Sequence, residues 1–294
     1  MKPVPFDYYR PGTLAEAADV LAALREDAAV LAGGLSLGPM LNLRLARPRA
    51  IVDITRIPGA DGIEVRGGTV TTGALLTQAD ALASPEIARE VPLLRLALPW
   101  LGHFQTRNRG TVGGSVAHAD PSAEIPLCLV TLDGTVVLRS RRRERRIAAR
   151  EFFVGALATA RAPDELVVAL EWPRAPADAG HAFEEVAQRR GDFAIAAAAC
   201  RVRLTPDGRI AEAAVGIGGV EPRPICVDTR PLLDCPAGNA DAIADFAALT
   251  VKSLAPMEDH VARAEYRRAL AQALIARVLK TAIASARKHS EGGG

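Results

Sequence analysis

The chain has 294 residues, of which 49% are hydrophobic and 24% are charged, and its formal net charge is only +2. This length allows one large domain or two to three small ones with real hydrophobic cores. The nearly balanced charge gives no strong electrostatic field for nucleic acid. We therefore expect a globular protein that binds no nucleic acid.

Targeting segments and metal ligands are not expected. The opening residues, MKPVPFDYYRPG, lack the apolar core of a secretory signal, and no run of about 18 apolar residues predicts a membrane span. No CxxC pair or HExxH motif occurs, which argues against zinc, an iron–sulfur cluster or any other metal on this chain. We expect a cytoplasmic protein with reduced, mostly buried thiols at Cys128, Cys200, Cys226 and Cys235.

The first 57 residues predict a compact α/β subdomain. Thr13 and Glu16 form a capping box at the start of an amphipathic helix. A short strand over residues 29–32 ends at Gly33-Gly34, and residues 50–54 read as a buried strand. We assign residues 1–57 to this N-terminal subdomain.

Residues 58–177 predict a second α/β subdomain. It begins with a hairpin that turns at Gly67-Gly68. The further elements are predicted helices over 77–83 and 85–99, an apolar segment over 125–131, and strands over 135–140 and 165–172. A Pro/Gly-containing segment at 175–182 marks the domain boundary that follows.

The remainder predicts a C-terminal α+β domain over residues 178–288. Strands at about 182–188, 194–204 and 209–218 form a three-stranded meander, and helical patterns follow at about 239–254 and 259–288. Residues 289–294 are expected to form a disordered tail.

An arginine-rich run at residues 139–150, RSRRRERRIAAR, holds seven arginines. A patch for nucleic acid or an acidic partner is one interpretation. The other is a solvated hairpin turn whose charges are balanced by acids elsewhere. We favour the hairpin, because no aromatic stacking platform is interleaved with the arginines.

Paired glycines recur at two places, each after an apolar segment. The first glycine loop is residues 32–36, AGGLS, and the second glycine loop is residues 111–115, TVGGS. Paired glycines let a backbone approach a ligand closely and expose consecutive N–H groups to an anion. Two clamps on one phosphate-bearing molecule are therefore one hypothesis, and two tight turns are the alternative.

Motifs for acid–base or nucleotide-triphosphate chemistry are missing from the sequence. Neither Ser36 nor Ser115 stands in a GxSxG context, and there is no GxGxxG after the first strand and no GxxxxGK[ST]. His118 lies inside the glycine-rich stretch, where it either lines a pocket or is a structural histidine. The sequence thus favours a cofactor cradle, and we predict no catalytic residue and no metal ligand.

The ordered set of motifs resembles one family over nearly the whole chain. The matching segments are PFDYYRPGTLAEA at the start, both glycine loops, AHADPSAE after the second, RNRG at 107–110, EFFVG at 151–155 and RRGDFA at 189–194. The sequence is identified as a member of the FAD-binding medium subunits of molybdenum hydroxylases, the carbon monoxide dehydrogenase and xanthine dehydrogenase group. This resemblance implies a mixed α/β fold: a two-subdomain FAD module of the PCMH type, then a C-terminal α+β domain.

The resemblance also implies where FAD would be held. The backbone of both loops would hold the pyrophosphate, Glu124 would lie near the cofactor, Val167 would make an apolar contact, and the segment Gly191-Asp192-Phe193 would approach the isoalloxazine ring. The implied cofactor-binding residues are Ala32, Gly33, Gly34, Leu35, Ser36, Leu37, Thr111, Val112, Gly113, Gly114, Ser115, His118, Asp120, Glu124, Val167, Asp192 and Phe193.

Electron transfer is the function that the resemblance implies. A large subunit would carry the molybdenum cofactor, a small subunit two-iron iron–sulfur clusters, and FAD on this chain would pass electrons to an external acceptor. The assembly would be a heterotrimer or a dimer of heterotrimers. Leu35, Ser115 and the glutamates 184 and 185 depart from common residues of the family, so a structural subunit that has lost its flavin is the alternative.

Overall fold

The computed structural model describes residues 2–291, and within them the strands form three main sheets and one two-stranded ribbon. The first sheet is parallel, with the strand order β1-β3-β2. Its elements are β1 Asp7–Tyr9, α1 Leu14–Leu24, β2 Ala28–Leu31, α2 Leu37–Asn42 and β3 Ala50–Asp53. The sequence predicted β2, β3 and α1 but missed β1, whose three residues are all exposed.

The start of α1 has the predicted cap. The hydroxyl of Thr13 accepts a hydrogen bond from the Glu16 N–H at 3.1 Å. The Glu16 carboxylate accepts from the Gly12 N–H at 2.7 Å. One orphan N–H of this helix start therefore has a side-chain partner, whereas the reciprocal bond of the predicted capping box goes to Gly12, before the cap.

The second sheet has five strands in the order β4-β5-β10-β6-β7. Its strands are β4 Ile63–Arg66, β5 Thr69–Gly73, β6 Thr135–Arg139, β7 Glu144–Ala148 and β10 Leu166–Pro173, and the ribbon pairs β8 Phe153–Gly155 with β9 Ala158–Thr159. The accompanying helices are α3 Gln78–Ala83, α4 Pro85–Glu90, α5 Pro92–Ala97, α6 Phe104–Arg107, α7 Val112–His118, α8 Glu124–Thr131 and α9 Ala149–Phe152.

Two predictions in this region, one of a helix and one of a loop, differ from the structure. The single helix expected over 85–99 is divided at Val91, because Pro92 supplies no N–H to continue the helix and instead starts α5. The second glycine loop was expected to be a loop, but its residues form the first turns of α7.

The arginine-rich run forms the predicted hairpin between β6 and β7. Its arginines pair with carboxylates on neighbouring elements. The pairs are Arg141 with Asp19 at 3.2 Å, Arg145 with Glu165 at 2.6 Å, Arg146 with Glu171 at 2.9 Å and Arg150 with Asp133 at 2.8 Å. Much of the charge of this run is therefore balanced within the protein.

The third sheet is a meander in the order β11-β12-β13-β14. Its elements are β11 Gly180–Val186, β12 Ala196–Leu204, β13 Ile210–Gly218, β14 Ile225–Cys226, α10 Ala240–Thr250 and α11 Ala264–Glu291. Three strands were predicted. The fourth, β14, pairs with β13 through only two residues, too few for a sequence pattern to reveal.

Helix α11 continues through residues 289–291, which were expected to be part of a disordered tail, and residues 292–294 lie outside the described part of the chain. Its most apolar window has a mean hydropathy of 1.3, enough by length and composition for a membrane span. Leu274, Ile275, Val278 and Leu279 instead pack into the core beneath the third sheet. This packing accounts for the apolar character of the helix.

The third sheet has a helical layer on each face. Ala197 and Ala199 of β12 belong to the core shared with α5 and α8, whereas Ala196 and Ala198 belong to the core shared with α11. Alternating alanines let helices approach both faces. Trp100 contacts Phe183 of β11 across the same boundary, with ring centroids 6.3 Å apart. The C-terminal domain is thus docked through a continuous core; the exact domain bounds stay a prediction.

Candidate cofactor site

The first glycine loop begins where β2 ends at Leu31. Gly34 has a φ of +75°, a backbone conformation that favours glycine. Within the described chain, no N–H group of residues 32–36 donates a hydrogen bond to another protein group. The loop therefore offers a run of free donors, as the anion hypothesis requires.

The second glycine loop uses its N–H groups differently. Thr111 caps α7, its hydroxyl accepting from the Gly114 N–H at 2.9 Å and its carbonyl from the Ser115 N–H at 3.1 Å. The Gly113 N–H donates to the Ala74 carbonyl at 3.0 Å, and the Val112 N–H to the Leu76 carbonyl at 2.8 Å. The expectation of exposed consecutive N–H groups therefore holds for the first loop and fails for the second, where helix capping uses them.

The two loops lie against each other. A Cβ atom added to Gly33 would overlap the carbonyl oxygen of Arg109 and lie 2.9 Å from the Cα of Gly110. A Cβ atom added to Gly114 would lie 3.9 Å from the Cβ of Ala32. The glycines thus let two segments separated by about 75 residues in sequence form one surface.

A third segment, Gly191-Asp192-Phe193 of the C-terminal domain, lies against residues that precede and follow the second glycine loop. A Cβ atom on Gly191 would lie 2.8 Å from the His103 ring, just before α6. The Ser122 hydroxyl donates to the Ala194 carbonyl at 2.8 Å, and the Gly219 N–H donates to the Pro121 carbonyl at 2.7 Å. The Ser122 bond attaches the end of the segment, and the Gly219 bond attaches the end of β13, to the chain that follows the second glycine loop.

Phe193 is 71% exposed, although it is large and apolar. Asp192 accepts a hydrogen bond from Arg189 at 3.2 Å, on the same turn. An exposed aromatic side chain on a loop held at both ends is available for contact with a bound molecule.

Two carboxyl groups, one on α8 and one on β11, are buried and interact electrostatically. Glu124 begins α8 and is 7% exposed, and Glu185 of β11 is 8% exposed. Burial raises the pKa of Glu185 to about 7. Burial, followed by the charges of Glu185 and Asp120, raises the pKa of Glu124 to about 8. Both groups are therefore partly protonated near neutral pH.

The other predicted positions vary in burial. Leu35 is 42% exposed, whereas Ser36, Leu37 and His118 are half-buried. Asp120 accepts from the Ser122 N–H at 2.8 Å and shapes the turn before α8.

Val167 lies beneath the second loop, not on the exposed surface. It is 4% exposed, and the neighbouring Val168 carbonyl accepts from the Ala74 N–H at 3.0 Å. Ala74 in turn contacts Gly113, so Val167 lies under the base of that loop.

Several residues that shape this region were not predicted from the sequence. Gly110 lies against the Gln78 side chain, where an added Cβ would be 2.5 Å from Oε1. Arg267 of α11 is buried and donates to the carbonyls of Ile195 and Gly219, both at 2.6 Å. The RNRG motif pointed toward Gly110, but nothing local marks Arg267, because an arginine in a long helix is usually solvated.

The four cysteines differ in burial. Cys128 and Cys200 are buried, but Cys226 is exposed, so the expectation of mostly buried thiols holds for only part of the set. Within residues 2–291, no three His, Cys, Asp or Glu side chains converge in a way that could hold a metal ion.

Comparison with known proteins decides the family. Residues 4–175 match the FAD binding domain in molybdopterin dehydrogenase, and residues 181–282 match the CO dehydrogenase flavoprotein C-terminal domain. The chain belongs to the FAD-binding medium subunits of molybdenum hydroxylases. Members of this family bind FAD and serve as oxidoreductase subunits that relay electrons within multi-subunit complexes.

Curated relatives match over almost their full length. The 6-hydroxypseudooxynicotine dehydrogenase complex subunit alpha of Paenarthrobacter nicotinovorans is 37% identical, with 99% of each chain covered. The carbon monoxide dehydrogenase medium chain of Afipia carboxidovorans is 34% identical, covering 98% of this chain and 100% of the relative.

Solved structures agree with this assignment. The chain superposes on carbon monoxide dehydrogenase from Oligotropha carboxidovorans with a TM-score of 0.94 and 33% identity, over 97% of this chain and 100% of that chain. For quinoline 2-oxidoreductase from Pseudomonas putida 86 the TM-score is 0.92 at 33% identity, over 97% and 99% of the two chains. The predicted α/β module followed by a C-terminal domain is confirmed.

The residues present fit a bound dinucleotide. The first loop supplies free N–H donors, and the glycines let its backbone and that of the second-loop region meet in one surface. A pyrophosphate needs such donors.

Proposed function

We propose that FAD lies across the two glycine loops and reaches the Gly191-Asp192-Phe193 segment. The free N–H groups of residues 32–36 would hold the pyrophosphate, and the hydroxyls of Thr111 and Ser115 would add contacts from the second loop. The observation that carries this proposal is the unsatisfied row of backbone donors in the first loop, next to the point where the backbones of Gly33 and Gly110 are in contact.

When bound, FAD supplies the redox chemistry, accepting and releasing electrons. The chain's own groups hold and orient it. The exposed Phe193 ring offers an apolar face to the isoalloxazine side, while Ser122 keeps that segment attached to the second loop. No side chain is needed as a general acid or base for this electron relay, consistent with the absence of a nucleophile–base motif in the sequence.

We also propose the composition of the assembly. A molybdopterin-binding large subunit and an iron–sulfur small subunit would join this chain in a heterotrimer or a dimer of heterotrimers. Its relatives are subunits of multi-subunit molybdenum hydroxylase complexes, which supports the proposal. A cytoplasmic location agrees with the four free thiols, since oxidising compartments favour disulfides.

The flavin content of the complex tests this function against the alternative of a subunit that has lost its cofactor. The full chain is purified with its partner subunits, its visible spectrum is recorded, and the supernatant after denaturation is analysed for FAD. We expect flavin absorption bands and about one FAD per chain. Absence of both would establish the structural alternative, which the sequence departures at Leu35 and at the glutamates 184 and 185 motivate.

A further inference from the structure

Glu185 faces the boundary between the FAD module and the C-terminal domain. Successive side chains of β11 point to opposite faces of the sheet. Phe183 belongs to the core shared with α5 and α8, whereas Ala182 belongs to the core shared with α11. Glu185 follows Phe183 by two residues and therefore points toward α8, where Glu124 begins the helix.

One oxygen of the Glu185 carboxylate lacks a partner among the described residues. Its Oε2 atom is sealed from solvent and accepts no hydrogen bond from any group in the described chain. An ionised carboxylate in this position would be costly, because burial removes its hydration without supplying donors. The group therefore needs either a proton or a donor from a bound molecule.

We propose, resting on the proposed FAD site, that Glu124 and Glu185 form a proton-holding pair in the wall of that site, and that binding of the negatively charged dinucleotide draws a proton from solvent onto this pair. The only bond formed in the chain is O–H on a carboxylate oxygen, and the buffer supplies the proton. The pair becomes neutral and no longer repels the pyrophosphate.

The electrostatics of the pair agree with this geometry. Glu185 ionises first, since burial alone raises its pKa to about 7, and its charge then helps to raise the pKa of Glu124 to about 8. In the described chain, the other titratable groups that act on the pair are Asp120, before α8, and the Cys128 thiol, one turn along it. No basic group acts on either carboxyl, so a further negative charge raises both pKa values.

The neighbouring residue provides a matched control. Glu184 points to the opposite face of β11, where its carboxylate pairs with Arg277 of α11 at 2.5 Å. Replacing Glu184 with glutamine removes the same charge from the same strand, but on the side away from the FAD module. Any effect confined to Glu185→Gln therefore comes from the pair.

The experiment is calorimetric titration of FAD into the full-length chain freed of flavin, in two buffers of different ionisation enthalpy, from about pH 6 to about pH 9. The wild type should take up part of a proton per FAD near pH 7.5 and almost none at the acid end, where the pair is already protonated. Its FAD Kd should rise by up to about tenfold per pH unit at the alkaline end, as one linked proton requires.

In Glu185→Gln residue 185 is always neutral and only Glu124 can still take up a proton, so this variant should take up less than the wild type and show a weaker pH dependence of the FAD Kd, while Glu184→Gln should behave like the wild type. Glu124→Gln gives the same test if Glu185→Gln does not fold by circular dichroism. Two results would refute the proton-holding pair without contradicting the proposed FAD site. One is FAD binding without proton uptake in the wild type, and the other is equal proton uptake in Glu185→Gln and the wild type. Failure of the wild type to bind FAD would instead refute the proposed function.

Discussion

The Ser122 hydroxyl donates a hydrogen bond to the Ala194 carbonyl oxygen at 2.8 Å, joining the FAD module to the C-terminal domain beside Phe193. Ala194 is buried, so loss of this donor leaves its carbonyl without that partner, at a cost of about 1 kcal/mol. We expect Ser122→Ala to weaken FAD binding several-fold, measured by flavin fluorescence titration, because the Phe193 segment loses one attachment.

A serine in a comparable bond but far from the site serves as the control for that change. The Ser253 hydroxyl donates to the Thr250 carbonyl, also at 2.8 Å, at the exposed end of α10. Ser253→Ala should leave the FAD affinity unchanged. An equal loss in both variants would mean that Ser122 contributes only general stability.

Gly114 should not tolerate a branched side chain. A Cβ atom there would lie 2.6 Å from the Thr111 hydroxyl oxygen that caps α7. We predict that Gly114→Val displaces this hydroxyl and empties the cofactor site in protein that remains folded, measured as FAD per chain. Gly155→Val, at a strand position where the nearest atom is 3.9 Å away, is the control. Full FAD occupancy in Gly114→Val would show that the second loop is only a turn.

Replacing Phe193 should change the spectrum of bound flavin but should hardly change the free energy of unfolding. Because its side chain is 71% exposed, Phe193→Ala should change the free energy of unfolding of the flavin-free chain by no more than about 0.5 kcal/mol. We expect a shifted visible spectrum or altered fluorescence of bound FAD. Leu249→Ala, at a 61% exposed apolar residue of α10, should change neither. A spectrum of Phe193→Ala identical to the wild type would place the isoalloxazine ring elsewhere.

The flavin-free chain should lose stability as the pH rises from about 5 to about 8. The pKa values of Glu124 and Glu185 are raised to about 8 and about 7 in the folded chain, so it binds more protons than the unfolded chain over this range. The free energy of unfolding then decreases with rising pH. We predict that Tm falls across this range and that Glu185→Gln makes the fall shallower, measured by thermal denaturation in matched buffers. A Tm of the wild type that rises from pH 5 to pH 8 would contradict the raised pKa values of Glu124 and Glu185.

Local signals in the sequence predicted much of the fold. Thr13 caps α1, Gly67-Gly68 turns the first hairpin, and the apolar stretches of β12 and β13 form adjacent strands. These elements depend on neighbouring residues, which a sequence pattern contains. Strand β1 was missed because its exposed residues gain order only from pairing with β3, about 40 residues away.

The candidate site was predictable as a set of motifs but not as a geometry. Gly33 was consistent with a tight turn and Gly110 was part of the RNRG motif, and only the fold reveals that their backbones are in contact. The second loop read as a row of free donors, whereas capping by Thr111 and pairing with Ala74 use those donors. Glu185 read as a departure from a basic residue; its burial opposite Glu124 follows from domain packing, which no local pattern contains.

The FAD affinity of Gly33→Ala, compared with Gly38→Ala, tests most directly whether the two glycine loops form one cofactor clamp. A Cβ atom on Gly33 would overlap the Arg109 carbonyl and separate the loops, whereas a Cβ atom on Gly38, inside α2, meets nothing within 4 Å. By fluorescence titration of the flavin-free full-length chain, we predict that Gly33→Ala binds FAD at least about tenfold more weakly and that Gly38→Ala binds it like the wild type. Wild-type affinity in a folded Gly33→Ala variant would contradict the clamp.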